Sequence, residues 1–295
     1  MIPLRYRPGI VGWALVLPAM VPLFAFTHYP ALATLWAALH GQALHGKPPP
    51  FVGPANYAAM VADPVFWQAL RNNIVYAGFV IPVSMTLALV MALAADSATG
   101  VRGRSLLRLA YFTPTILPMV AIANIWLFFF TPGYGLIDRV LAPFGLGNWN
   151  WLGSVSTALP AMIIVAIWRE AAFYMIFYLA ALQALPPVLR DAAALEGSSR
   201  WNFFRRVIWP LLTPTTLFVL INVVIDSFRL VDQIIVMTQG GPDNSTTILL
   251  YYIYQVGFQY WDSGYAAALT VVLLMGLGLV AMLQFALLGR RVHYR

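Results

Sequence analysis

An all-α, polytopic membrane protein with six transmembrane helices is predicted by three features of the sequence. They are six long apolar stretches, a charged-residue content of only 9%, and arginines gathered on alternate connections between the stretches. A soluble domain carries roughly 25% charged residues. A chain that is 61% hydrophobic and 9% charged cannot solvate a soluble surface, and its mean hydropathy of +0.78 agrees. Lipid is the solvent that this composition suits.

A spanning helix needs about 20 largely apolar residues. Six stretches meet that length, near residues 10–36, 74–95, 106–130, 158–184, 211–236 and 265–288. Pro18, Pro22 and Pro30 fall in the first, Pro82 in the second, and Pro114 and Pro118 in the third. Membrane helices accept proline because neighbouring groups re-satisfy the freed carbonyls. The first stretch follows Arg5 and Arg7 but exceeds the 7–15 residues of a signal-peptide core, so it reads as a retained helix.

Basic residues orient such a chain. With both termini in the cytoplasm, the inside segments hold Arg5, Arg7, Arg102, Arg104, Arg108, Arg190, Arg200, Arg205, Arg206, Arg290, Arg291 and Arg295. The outside then holds only Lys47, Arg71 and Arg139, while Arg169 and Arg229 lie within spans. The net charge of +7 is therefore spread between apolar stretches rather than gathered in a patch, which argues against a nucleic-acid partner. There is no cysteine, so disulfides, thiolate metal sites and cysteine nucleophiles are excluded.

The first outside loop, 37–73, reads as two short helices, with Asn56 capping one after Pro54 and Asp63-Pro64 opening the next. Phe66, Trp67 and Leu70 suit the lipid–water boundary. The segment is either an interfacial anchor or a dock for an outside partner. The inside loop 185–210 carries the strongest signal. Pro187 suits a helix start, Asp191 to Ala194 continue it, and Gly197 suits a C-terminal stop. Ser198 or Ser199 can cap a second helix bearing Trp201, Phe203, Phe204 and Val207 and ending at Trp209-Pro210. This helix–turn–helix is either an interfacial pair or an element that docks in another protein's groove.

Ionisable groups within spans are functional candidates by default. Arg169 and Glu170 lie midway along the fourth span; Asn222, Asp226 and Arg229 lie along the fifth, followed by Asp232. At ~1.5 Å per residue, Arg169 and Asp226 reach similar depth. Cross-span pairs of Arg169 with Asp226 and of Glu170 with Arg229 are therefore expected. Two roles stay open: a structural clamp, or a solute path formed by Glu170, Asp226 and Asn222, with Tyr174 and Tyr178 continuing the Glu170 face. Asn124 and Trp126 in the third span share that ambiguity.

No catalytic constellation is present. The one lysine, Lys47, follows Gly46 but precedes Pro48, which is no phosphate-binding loop. His28, His40, His45 and His293 have no metal-ligand spacing, so no metal is expected. His40 and His45 read as solvated loop residues.

The inside loop resembles the EAA loop of binding-protein-dependent ABC importer permeases. That family's pattern is Glu-Ala-Ala, three residues, Gly, nine residues, then Ile-x-Leu-Pro. Here it stands as Asp191-Ala192-Ala193, Gly197 and Val207-Ile208-Trp209-Pro210, with the spacing intact. Asp191, Val207 and Trp209 replace Glu, Ile and Leu. The sequences 51–57 and 63–67, Leu179-Ala180-Ala181-Leu182-Gln183, and Thr238-Gln239-Gly240-Gly241-Pro242 with Tyr251 to Tyr254 after it resemble the carbohydrate-uptake subfamily of maltose and glycerol-3-phosphate type.

The resemblance implies a type I ABC importer permease architecture in the bacterial inner membrane. It implies a sugar or sugar-like solute (oligosaccharide, polyol or glycerol phosphate) and a second homologous permease completing a heterodimer. It further implies an ATPase dimer that binds ATP and Mg and takes the EAA loops, and a periplasmic or lipid-anchored solute-binding protein. Asp191, Ala192, Ala193, Gly197, Val207 and Pro210 would then couple to the ATPase, Gly240, Gly241 and Pro242 would form an outside loop, and this chain would catalyse nothing itself. The rival readings are an ion-coupled secondary transporter, with Glu170 and Asp226 as proton carriers, and an intramembrane enzyme, for which no paired catalytic residues are seen.

Overall fold

A computed structural model describes residues 8–42, 47–97, 109, 111–145 and 147–288. Arg5, Arg7, Arg102, Arg104, Arg108, Arg290, Arg291 and Arg295, on which much of the expected orientation rests, lie outside them, as do His45, Gly46 and His293. The described residues are helical without a β-strand; the one bridge joins His40 and Phe51. Among the described residues five helices are long and apolar enough to cross a membrane: Gly12–Ala37, Pro64–Asp96, Ala158–Gln183, Arg200–Phe228 and Ser263–Ala286.

The chain divides into two compact units. The first comprises residues up to Asp63 together with Ile253–Met275. It opens with α1 (Pro8–Leu23), a π turn at Phe24–His28 and α2 (Tyr29–Ala37). Pro30 has no N–H, and its ring would strike the carbonyl four residues back. The helix widens there instead, and the Tyr29 N–H reaches Phe24 O. Trp13, Leu15 and Phe26 are exposed, and no residue of the Gly12–Ala37 window is buried, as a lipid-facing helix requires.

The connection after α2 corrects the expectation for 37–73. Among its described residues one short helix forms, α3 (Ala55–Ala62), and Asn56 does not cap it. Its Nδ2 instead donates to the carbonyls of Ala38 and His40, 2.9 Å each, tying α3 to the end of α2. His40 is half-buried rather than solvated, stacked on Trp36 at 3.7 Å. Within the same unit Ala38, Ala267, Ala268 and Val271 pack with Tyr57, and the Tyr265 hydroxyl donates to Asp63 at 2.6 Å.

The second unit comprises Pro64–Tyr252 and the residues from Gly276. The second short helix expected in the outer loop is instead the first part of α4 (Pro64–Ser97), one continuous helix through the expected span. Nothing between Pro64 and Ile74 breaks the helical pattern, and apolar length alone marked only its lipid-soluble part. On α4, Ala88, Ala92 and Ala95 let α8 (Ala158–Gln183) approach closely, against Tyr174, Met175, Tyr178 and Leu182. Leu212, Val219 and Val223 of α11 (Trp209–Phe228) close that core.

The expected third span is interrupted. Residues 111–116 form α5 and Met119–Phe129 form α6, with a break at Leu117-Pro118. The proline ring disfavours helical geometry at the preceding residue, and Pro118 itself is extended with ψ 145°. Residues 106–108 of that expected span lie outside the described residues.

After α6, the short α7 (Leu136–Leu141) presents Asp138 to its own loop. Asp138 Oδ2 accepts from the N–H groups of Gly133 (2.7 Å) and Asn148 (2.9 Å), and Oδ1 from Trp151 Nε1 (3.1 Å). The Gly133 N–H foremost, then the Trp151 and Asn148 donors, hold its carboxyl below the usual carboxylate range. A lowered folded value means stabilisation that is present above the ordinary value and lost as pH falls through the folded one. The loop should therefore stay closed from neutral pH down to about 4 and open only in stronger acid. Trp149 and Trp151 fluorescence should report that step. Asp138→Asn should remove it and loosen the loop at neutral pH.

Candidate functional site

Helix α8 carries Arg169 and Glu170 on the wall of a cavity of about 370 Å³ in the second unit, facing Tyr76 of α4 and Met119 of α6. The fourth wall comes from a break in the expected fifth span. Helix α11 stops at Phe228, Arg229 leaves helical geometry (φ −97°, ψ 9°), and α12 (Asp232–Met237) begins three residues later. The expected continuous span 211–236 is thus two helices with Arg229, Leu230 and Val231 between them. The break falls among Asp226, Arg229 and Asp232, all on the cavity wall. Unwound backbone at membrane depth is tolerated where it lines a polar cavity, and interrupted helices commonly build solute sites.

The expected cross-span ion pairs do not form. Arg169 Nη1 binds its own neighbour, Glu170 Oε1, at 2.7 Å. Asp226 Oδ2 accepts from the Tyr174 hydroxyl at 2.7 Å. Neighbouring side chains leave a helix about 100° apart, but the long arginine stem lets the guanidinium wrap back to Glu170. Among the described residues Arg229 makes no ion pair. Two cations and three carboxylates, Glu170, Asp226 and Asp232, line the cavity, so its formal balance is acidic.

Of the other path residues, Tyr174 lies behind the wall, fully buried, where it positions Asp226. Tyr178 is buried in the α4–α8–α11 core. Asn124 and Asn222 are not on the wall: their amides donate to the carbonyls of Val120 (2.8 Å) and Phe218 (2.7 Å) four residues back. That is the default of a short polar side chain on an apolar helix. Gln233 is a wall residue that the sequence did not disclose. It is 0% exposed, its Nε2 donates to Met162 O at 3.0 Å, and its Oε1 has no partner among the described residues. A buried acceptor without a donor suits a solute hydroxyl. The available signal was a glutamine beside Asp232 opening an apolar run.

The loop 185–210 forms the expected helix–turn–helix. Helix α9 (Val188–Leu195) ends at Glu196, and Gly197 takes φ +64°. The Gly197 N–H donates to Ala194 O (3.1 Å) and the Ser198 N–H to Ala193 O (2.9 Å), a Schellman cap that favours glycine at this position. Ser199, not Ser198, caps α10 (Arg200–Phe203), accepting from the Asn202 N–H at 3.3 Å. A π turn at Phe204–Ile208 then joins α11, with the Trp209 N–H reaching Phe204 O. Pro210 follows this turn as Pro30 follows the one after α1, so the last residue of the motif has a structural consequence. The Arg190 guanidinium pairs with Asp96 at the end of α4, while Leu195 (91% exposed) and Trp201 (66%) stand out as an uncovered apolar surface.

The segment 239–264, between the expected fifth and sixth spans, carries helix in its second half, with α13 (Leu249–Tyr254), a π turn at Gln255–Gln259 and the start of α14 (Ser263–Leu288). Before α13, Gly240 has φ +83°, and Thr247 Oγ1 donates to its carbonyl at 3.2 Å. Thr246 Oγ1 donates to Gly241 O at 2.9 Å, and Gly241-Pro242 is a cis peptide. A β-carbon at residue 240 would meet Thr247 Oγ1 at 2.5 Å and the Tyr251 ring at 2.8 Å. Gly240→Ala should therefore cost about 1–3 kcal/mol, read as a lower melting temperature in detergent.

The fold and site define a multi-pass helical membrane protein with a polar cavity at a helix break and a capped, protruding helix–turn–helix. Residues 84–294 match the family described as binding-protein-dependent transport system inner membrane component, and the chain belongs to that family. It is 31% identical to the sn-glycerol-3-phosphate transport system permease protein UgpA of Agrobacterium fabrum, over 97% of each chain. It is 30% identical to the trehalose/maltose transport system permease protein MalF of Thermococcus litoralis, over 91% of this chain and 90% of that one. A crystal structure of a bacterial ABC transporter involved in the import of the acidic polysaccharide alginate shares the fold, with a TM-score of 0.82 at 21% identity over 95% of each chain.

Proposed function

We propose that this chain is one of two permease subunits of an ATP-driven importer in a bacterial inner membrane, carrying a sugar or sugar-like solute. The observation that carries the reading is the 185–210 helix–turn–helix. It presents Asp191, Ala192 and Ala193, a Schellman cap at Gly197 and an uncovered apolar face to a partner. The partner is an ATPase subunit, which holds the ATP and Mg and whose closure moves α9. The Arg190–Asp96 pair links α9 to α4, the π turn before Pro210 joins α10 to α11, and α4 and α11 bound the cavity. Motion of α9 therefore reaches the cavity wall through two rigid helices.

A homologous second permease completes the path, and an outside solute-binding protein delivers the solute. A sugar, oligosaccharide, polyol or glycerol phosphate is supported by the glycerol-phosphate and trehalose/maltose permeases among the relatives. The cavity fits hydroxyl chemistry: Gln233 Oε1, Glu170 and Asp226 accept, and Arg229 donates. The test is co-purification of ATPase activity with the tagged chain from native membranes. Activity that travels with the chain and rises with the solute-binding protein present supports the proposal. Transport by this chain alone, driven by an ion gradient and without ATPase, would replace it with a secondary carrier.

A further inference from the structure

A second cavity, of about 570 Å³ and with polar groups set in a largely apolar lining, lies in the second unit at the N-terminal end of α4, the end that the arginine distribution assigns to the outside. Trp67 and Arg71, one turn apart on α4, form one side; Ser156, in the turn before α8, and Leu159, in its first turn, form another; Ser245 closes the third. The Ser245 wall is held in place from α4. Gln68 Nε2 donates to Asp243 O at 2.8 Å, and Asn72 Nδ2 donates to the carbonyls of Asn244 (2.9 Å) and Thr247 (2.8 Å). Ser245 is only 7% exposed, and its Oγ has no hydrogen-bond partner among the described residues. Arg71 is exposed and makes no ion pair among them.

Each feature calls for a complementary group. A buried hydroxyl left without a partner is costly, so it wants a donor or acceptor supplied from the cavity. A guanidinium on the wall of the same cavity suits the oxygens of a phosphate or carboxylate. A half-exposed indole offers an apolar face on which carbon-bound hydrogens can rest. We propose that this groove is an entry subsite for a polyhydroxylated solute carrying a phosphate or carboxylate. Arg71 takes the anion, Ser245 and Ser156 bind hydroxyls, and Trp67 packs on the carbon skeleton. The proposal rests on the importer reading and narrows its solute class. The acidic cavity at Glu170 then lies further along, and the anion is captured before it meets those carboxylates.

The absence of cysteine supplies the test. Ser156→Cys gives this chain a single thiol, whose reaction with a membrane-impermeant maleimide is followed in spheroplasts carrying the whole transporter. Saturating glycerol phosphate or glucuronate is expected to slow labelling about threefold or more, while glycerol and glucose leave it unchanged. Adding Arg71→Gln should weaken protection about tenfold, Arg71→Lys should restore part of it, and Ser245→Ala should weaken it less. Protection by glycerol phosphate alone identifies phosphate chemistry, and protection by glucuronate alone identifies carboxylate chemistry. Protection by neither, or protection that survives Arg71→Gln, overturns the subsite. So does a thiol that another subunit shields from label in the assembled transporter. ATP-driven uptake is followed in parallel with the unmodified transporter: if it persists, only the subsite has failed; if it is absent, the importer reading has failed as well.

Discussion

A chain carrying Gly197→Asp is expected to reach the membrane in normal amount and to support no ATP-driven uptake above background. Two effects combine. Gly197 sits at φ +64°, where any side chain costs about 1 kcal/mol relative to glycine. That alone shifts the loop only several-fold. A carboxylate at the turn is the larger effect, because docking would bury it without a partner at a cost of several kcal/mol. No atom lies within 4 Å of the position where a β-carbon would stand, so the isolated chain has room for either substitution. The damage therefore belongs to the docked state. Gly197→Ala carries the backbone cost alone and should lose uptake only a few-fold. Uptake by Gly197→Asp within about twofold of wild type, with co-purified ATPase retained, would remove the coupling role of this loop.

Arg169→Ala is expected to be the most destabilising single change at the candidate site, and to exceed Glu170→Gln. Removing the guanidinium leaves Glu170, 12% exposed, as a carboxylate without its 2.7 Å partner. Glu170→Gln leaves an arginine that is 37% exposed to the cavity and can still be hydrated. Breaking a buried pair costs roughly 3–5 kcal/mol and an exposed one near zero, so the partly exposed pair should lose about 1–3 kcal/mol. The melting temperature of the detergent-solubilised chain measures this. The pairing also predicts the outcome of charge reversal: Arg169→Asp combined with Asp226→Arg should restore no more uptake than either single change. A double-mutant cycle between Tyr174→Phe and Asp226→Asn should show a coupling on the order of 1 kcal/mol. Full rescue by the double reversal would return Arg169 and Asp226 to one ion pair.

Apolar length and charge were enough to read an all-α membrane chain, since few charges and long apolar runs leave no other solvent. The 185–210 loop was legible in the same way. Proline, alanine, glycine and serine each act on the backbone within a turn, and Gly197 and Ser199 do what local chemistry asks of them. Tertiary structure decided what depends on partners distant in sequence. It turned Asn56 from a cap into a tie to α2 and joined residues 64–73 to the second span. It gave Asp226 to Tyr174 and split the fifth span at Arg229, so that three unwound residues and Gln233 line a cavity. Side-chain reach and the packing of α4 against α8 set those outcomes, and neither is written in the spacing of residues along one helix. The sequence thus determined the membrane setting, the all-α class and the 185–210 helix–turn–helix through local and solvent preferences. Only the folded chain, by choosing among competing partners for each buried charge and amide, decided where a solute could bind.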